Sequence, residues 1–226
     1  MTERQNQPIP KKLEKIVQWT KEASKSVSGL LVPVSGGTDS ALSFWVCSQA
    51  RPGEVLGVHT QGPLRAKEWF ESLGEVVTVD TPGNIFEAEE MRWAKFLYMS
   101  REREYGLVGN RTRTEDLLGN YSLASRVATI YPIIGIWKSD VINLCQEVGV
   151  PDEVIKSSSE PDCECGRPPK LAEIPFPVID SFLKKETLGE KNVDLSDLSP
   201  EQEKYLKGVV VYTAFKKELP YRGPTA

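Results

Sequence analysis

Two hydrophobic patterns alternate along the chain. Continuous apolar runs at 30–34, 55–59, 76–79, 106–109 and 130–136 are short, as strands buried on both faces are. Between them lie stretches with helical spacing. Residues 11–28 form an amphipathic helix in which Ile16 and Trp19 lie three apart. Helices are also predicted over 41–50, 66–73, 85–104 and 138–148. In 85–104, Ala88, Met91, Ala94 and Tyr98 recur in step, and 138–148 is ended by Gly149 and Pro151. Ser199-Pro200-Glu201-Gln202 combines an N-cap serine, a first-position proline and a glutamine closing the box, so a last helix runs to about 217. The stretch 157–175 is rich in Ser, Pro and Gly and has no period. A loop of that length is functional or disordered. No internal repeat is present.

Strands alternating with helices predict an α/β fold: a Rossmann-like, doubly wound, parallel five-stranded sheet with helices on both faces. The expected organisation is a single domain over 1–226, with 157–175 as a lid-like loop and 198–226 as a C-terminal helix and tail. Such sheets bind ligands at the carboxyl ends of their strands, near the switch in strand order. Ser35-Gly36-Gly37-Thr38-Asp39-Ser40 stands at that place, directly after the first apolar run.

Composition narrows the chemistry. The 226 residues are 39% hydrophobic, enough for a full core, and the net charge is −4 with acids and bases interleaved. That gives no duplex-binding surface, so no nucleic-acid partner is expected. No apolar run reaches the ~18–20 residues of a membrane span, and Met1 to Lys12 is polar, without a signal-peptide core. A cytoplasmic location is expected. The single histidine, His59, removes most His-based chemistry and argues against a Ser-His-Asp triad or a His-rich metal site. Of the four cysteines, Cys47 and Cys145 sit in apolar helical patterns and read as core thiols. Cys163 and Cys165 are a weak zinc signal, having no second pair or nearby histidine. They read as inert lid cysteines, a metal or redox pair, or a sulfur-handling site.

Gly36 and Gly37 let backbone amides approach a ligand, and the next helix points its positive end at the same spot. Ser35 and Ser40 add hydroxyl donors, and Thr38 is a further candidate. Together they form a phosphate cradle. Asp39 would repel a phosphate unless a cation lay between them, so it is a candidate Mg²⁺ ligand. The competing explanation is a plain strand-to-helix turn with Ser35 as N-cap. The loop is not GxxxxGK[ST], since no lysine follows the glycines, and it lacks the third glycine of a dinucleotide fingerprint.

SGGTDS resembles the SGGxDS signature of the N-type ATP pyrophosphatases, which split ATP between the α- and β-phosphates and adenylate an acceptor. NAD synthetase, GMP synthetase and asparagine synthetase share it. "GLVGNRTRTEDLLGNYS" resembles the NAD synthetase segment "LVxGTGNxSExxLGYxT". "IYPIIGIWKSDVINLCQEVGVPDEVI" resembles its "IxPIGDLYKTxVxxLAxxLGVPxxII". The resemblance runs from about Ser28 to Phe182 and more faintly to the C-terminus.

The resemblance implies that Ser35, Gly36, Gly37 and Ser40 contact the pyrophosphate side of ATP. It implies Asp39 and Glu115 as Mg²⁺ ligands and Lys138 as a phosphate-contacting catalytic residue beside Asp39 and Ser40. Glu115 could otherwise be a first-turn acid favoured by the helix dipole, and Lys138 a solvated helix-start lysine. A cation at a helix start is unfavourable without an anion nearby, which favours a functional Lys138. Arg92 lies where the family has an arginine near the nucleotide, and could equally be a snorkelling surface residue. Thr112 and Thr114 are candidate donors to phosphate oxygens.

The implied activity is that of an ammonia-dependent NAD synthetase-like amide ligase using ATP and Mg²⁺. An acceptor carboxylate, nicotinic acid adenine dinucleotide or another, is adenylated with pyrophosphate release, and ammonia then displaces AMP. No glutaminase domain is seen, so ammonia is free or comes from a separate glutaminase partner. The family implies a homodimer, with 85–104 and the C-terminal helix as candidate contacts.

Departures keep a second reading open: the same chemistry on a different acceptor, as another amide ligase or a sulfur transferase. Bulky Arg111 stands where the family has glycine. The family's Tyr-Gly-Asp segment becomes "LASRVAT", without its acid and with Arg126 nearby, which favours a more anionic acceptor or a different one. "KSSSEPDCECGRPPK" stands where the family has "KPPSA". A non-catalytic nucleotide binder is the third reading. Asp39, Glu115 and Lys138 argue against it.

Overall fold

The computed structural model describes residues 8–60, 62–80, 88–158 and 168–219. Cys163, Cys165, the centre of the lid-like loop, residues 85–87 of the expected long helix and the tail from 220 lie outside them. The elements run α1 (Lys11–Ala23), β1 (Gly29–Pro33), α2 (Thr38–Ala50), β2 (Val55–Thr60), α3 (Lys67–Glu71), β3 (Glu75–Val79), α4 (Ala88–Glu102) and β4 (Tyr105–Leu107). Then come α5 (Arg113–Leu118), a 3₁₀ turn at Leu123–Val127, α6 (Lys138–Glu147), α7 (Asp152–Ser157), α8 (Pro169–Ala172), α9 (Phe176–Glu186), α10 (Pro200–Thr213) and α11 (Phe215–Glu218).

Among the described residues the strands form one parallel sheet in the order β3-β2-β1-β4. The chain steps outward from β1 to β3, then returns to the other side of β1, so the switch falls between β1 and β4. The SGGTDS loop leaves β1 at that place.

β1 is buried along its length and feeds two cores. Leu30 and Val32 pack with residues of α1, α2, α6 and α7. Leu31, one position on, joins Leu56, Val58 and Leu107 in a core closed by Phe96 of α4. Period-2 alternation in a strand covered on both faces produces this division. α5, α8, α9 and α10 bury a third cluster, including Leu118, Leu171, Ile179, Phe182 and Leu206. The Ser199–Gln202 capping box is present as expected. Cys47 and Cys145 are buried free thiols.

Several boundaries differ from the expectation. The α/β fold with helices on both faces holds, but the fifth strand at 130–136 reduces to one parallel bridge between Val108 and Ile130. Pro132 has no N–H to continue a ladder. The chain instead turns, with Ile136 N donating to Ile133 O at 2.9 Å. The first helix stops at Ala23, and its buried stripe is Leu13, Val17 and Thr20, with Trp19 exposed. On α4, Met91 and Tyr98 are exposed and Phe96 is the buried anchor. Met91, Ala94 and Tyr98 there mark the outer face.

Candidate active site

Gly36 holds the loop's sharpest bend, at φ +80°, and a Cβ there would lie 3.2 Å from the Arg65 Cβ. Gly37 is the N-cap of α2, so Thr38, Asp39 and Ser40 form its first turn. The amides of that turn have no partner one turn back within the helix, which makes it an anion-binding end. Ser40 braces the bend from within. Its Oγ donates to Gly37 O at 2.9 Å and accepts from Ser35 N at 3.2 Å. The Ser35 Oγ lies 3.1 Å from it, on an exposed residue.

Lys138 begins α6 and is only 7% exposed. Its Nζ donates to Asp39 Oδ2 at 2.5 Å and Thr38 Oγ1 at 3.0 Å. The anion that a cation at a helix start requires is thus Asp39. The other carboxylate oxygen, Asp39 Oδ1, is buried without a hydrogen-bond partner.

Glu115 reaches the same place from α5. It closes a capping box: its Oε2 accepts from Thr112 N at 2.9 Å and from Thr112 Oγ1 at 3.0 Å, while Glu115 N donates to Thr112 Oγ1. The helix-start explanation and the charged-site explanation therefore both apply to it. Burial, and then the negative charge of Asp39, push its pKa up to about 7 against the opposing pull of Lys138 and the Thr112 bonds. Two carboxylates that repel each other, one of them with a buried unpartnered oxygen, fit a divalent cation.

Thr112 and Thr114 are committed inside the protein. Thr112 caps α5. The Thr114 Oγ1 donates to Asp180 Oδ1 at 2.5 Å and accepts from Lys138 N at 2.9 Å. Arg92 is not brought into this cluster: its guanidinium pairs with Glu89 one turn earlier on α4, and among the described residues no contact joins it to the loop.

Other residues escaped the sequence reading. Asn110 ties the second loop to the end of β1 through Pro33 O at 2.7 Å, and its Oδ1 is buried without a partner. Asp180 of α9 accepts from Ser139 N at 3.0 Å and Ser139 Oγ at 2.6 Å as well as from Thr114, joining α5, α6 and α9 behind Lys138. A lone acid in the apolar run "FPVIDSFL" was its only signal. The Ser158 hydroxyl meets Thr38 Oγ1 at 2.7 Å, linking the end of α7 to the loop. Arg65 donates to Gly36 O at 3.4 Å.

A parallel sheet with a glycine-bent loop at its switch, a helix N-terminus facing that loop, a lysine and two carboxylates defines an α/β protein with an anion-binding helix end. The chain belongs to the NAD synthase family, whose model matches residues 82–220. That match begins after the SGGTDS loop and takes in Glu115, Lys138 and Asp180. An NH(3)-dependent NAD(+) synthetase of Thermotoga neapolitana is 29% identical over 133 residues, which cover 58% of this chain and 45% of that protein. The match thus spans less than half the length of that relative. The solved NH3-dependent NAD synthetase of Campylobacter jejuni, in complex with nitrate ion, superimposes with a TM-score of 0.74 at 21% identity, over 96% of this chain and 100% of that one. The NMN synthetase of Francisella tularensis gives 0.74 at 14% identity, over 94% and 97%. These two likenesses carry the fold.

Proposed function

We propose that the protein is an ammonia-dependent amide ligase of the NAD synthetase kind. The carrying observation is the convergence of Asp39, Lys138 and Glu115 on the amide-lined end of α2. The carboxylate of the acceptor attacks the α-phosphorus of ATP; a new O–P bond forms and the bond to the bridging oxygen breaks, releasing pyrophosphate. Ammonia then attacks the acyl carbonyl, AMP leaves with the former carboxylate oxygen, and the nitrogen gives up a proton to solvent. The loop amides and Ser35 hold the phosphates. Lys138 shifts its charge from Asp39 to the leaving pyrophosphate, where charge develops. Asp39 and Glu115 would hold Mg²⁺, which would supply neutralisation of phosphate charge. Ammonia is free or supplied by a separate glutaminase, and two copies of the chain pair through exposed apolar positions of α10 and α4.

The direct test mixes Mg-ATP, ammonium and nicotinic acid adenine dinucleotide with the protein and follows AMP, pyrophosphate and NAD by mass. Wild type should form all three, and Asp39→Ala should lose about 100-fold or more in rate. Folded wild type that forms no AMP with any nicotinate nucleotide would remove the reading.

A second reading, a different nicotinate acceptor, is favoured by the cations around Arg111 and Arg126. The Francisella tularensis protein of the same fold is named an NMN synthetase.

A further inference from the structure

The loop at 109–112 sends neighbouring side chains in different directions. Asn110 and Glu115 reach toward β1 and Asp39. Arg111 and Asp116 instead line an open cavity of about 320 Å³ with Tyr121, Arg126, Lys216 and Lys217. The cavity therefore lies on the other side of the loop from Asn110 and Glu115.

The Arg111 side chain is only 9% exposed. Its guanidinium carbon sits 3.4 Å from the Tyr121 ring centroid and 5.1 Å from that of Tyr131. It donates to Asp116 Oδ1 and to Ser125 Oγ, each at 3.0 Å, and its Nε is buried without a partner. The other cations reach backbone carbonyls. Arg126 donates to Lys216 O at 2.7 Å and Leu219 O at 2.5 Å. The Lys216 Nζ donates to Gly119 O at 2.9 Å and Tyr121 O at 2.7 Å, and the Lys217 Nζ to Leu117 O at 2.5 Å.

Carbonyls satisfy N–H donors without cancelling charge. Among the described residues, four cations, Arg111, Arg126, Lys216 and Lys217, thus share one lining carboxylate, Asp116. Burial lowers the pKa of both lysines, with Arg111 adding to the effect at Lys216, whereas Asp116 opposes it at Lys217. Arg111 is nearly buried, whereas Arg126 and Lys217 stand at the solvent-facing rim, so a bound anion would meet the buried guanidinium from the cavity side.

We propose that this cavity takes a phosphomonoester borne by the acceptor, a deduction that rests on the ligase reading above. A monoester carries about −1.5 to −2 charges near neutral pH and offers three strong acceptor oxygens. Arginine forks match that geometry. The volume lies at the lower end of the roughly 300–1,000 Å³ of ligand pockets, which suits a mononucleotide better than a dinucleotide.

The test is calorimetric titration of the full chain, without ATP, with nicotinic acid mononucleotide, its dephosphorylated riboside, nicotinic acid adenine dinucleotide and inorganic phosphate. The mononucleotide should bind about tenfold or more tighter than each of the other three. Lys217→Gln and Arg126→Gln should each weaken it about tenfold, with partial recovery in Arg126→Lys and unchanged ATP affinity. Thermal melts control for folding, since Arg126 also holds two carbonyls; Lys217, which holds one, is the milder change. Equal binding of mononucleotide and riboside, phosphate binding as tight as the mononucleotide, or undiminished binding in both variants overturns the proposal. Turnover is scored separately. Phosphate-dependent binding without AMP formation would remove the ligase reading and leave the cavity. NAD formation from the dinucleotide without phosphate-dependent binding would do the reverse.

Discussion

Glu115 carries the clearest pH signature of any residue in the site. Its folded pKa is raised to about 7 from an ordinary 4.5, by burial first and Asp39 second. Between those values the folded chain keeps a proton that the unfolded chain releases, so stability falls as pH rises through that window and stays lower above it. Part of the residue still meets solvent, so the effect should be about 1–2 kcal/mol rather than the full shift. Urea melts in EDTA at pH 5 and pH 8 should show that loss in wild type and not in Glu115→Gln. An identical pH dependence in the two proteins would sink the assignment. Asp39 and Glu115 were readable from their motifs. Their mutual repulsion was not, because they lie on different helices, far apart along the chain.

At the scale of elements, Lys138 depends on how α5, α6 and α9 are locked together. Buried Asp180 accepts from Thr114 and Ser139 and so fixes the start of α6. Asp180→Ala would leave those donors unsatisfied in a buried place. It should cost about 3 kcal/mol, with Asp180→Asn recovering part. Because the change acts through Lys138, kcat should fall more than the KM for ATP rises. Wild-type urea stability in Asp180→Ala would overturn this positioning role. Element types were largely legible, since buried strands and capped helices leave local patterns. The fifth strand was misjudged because its apolar run includes Pro132, which turns the chain after a single bridge. The stripes of α1 and α4 were misjudged because Trp19, Met91 and Tyr98 repeat with helical period on faces that no element among the described residues covers.

For the whole molecule, the sheet order places the SGGTDS loop at the switch between β1 and β4, and the third core holds the α5–α10 layer against it. Val211 and Tyr212 of α10 stand 76% and 80% exposed. Exposed apolar groups of this kind suit a self-complementary two-fold contact. Light scattering at micromolar concentration should give the mass of two chains, and Val211→Asp with Tyr212→Asp should give one. A monomeric wild-type mass would remove the pairing.

The sequence by itself determined the α/β layering, the glycine bend after β1 and the charged residues at the helix starts. These are short-range demands: a buried strand must be apolar, a bend at φ +80° favours glycine, and a helix start attracts anions. Only the tertiary structure decided which charges meet. Lys138 finds Asp39 across 99 residues, and Arg126 reaches the carbonyl of Lys216 across 90. Local spacing records what each residue needs. Packing decides which distant residue supplies it, because burial turns an unmatched charge or donor into a cost that only a spatial neighbour can offset.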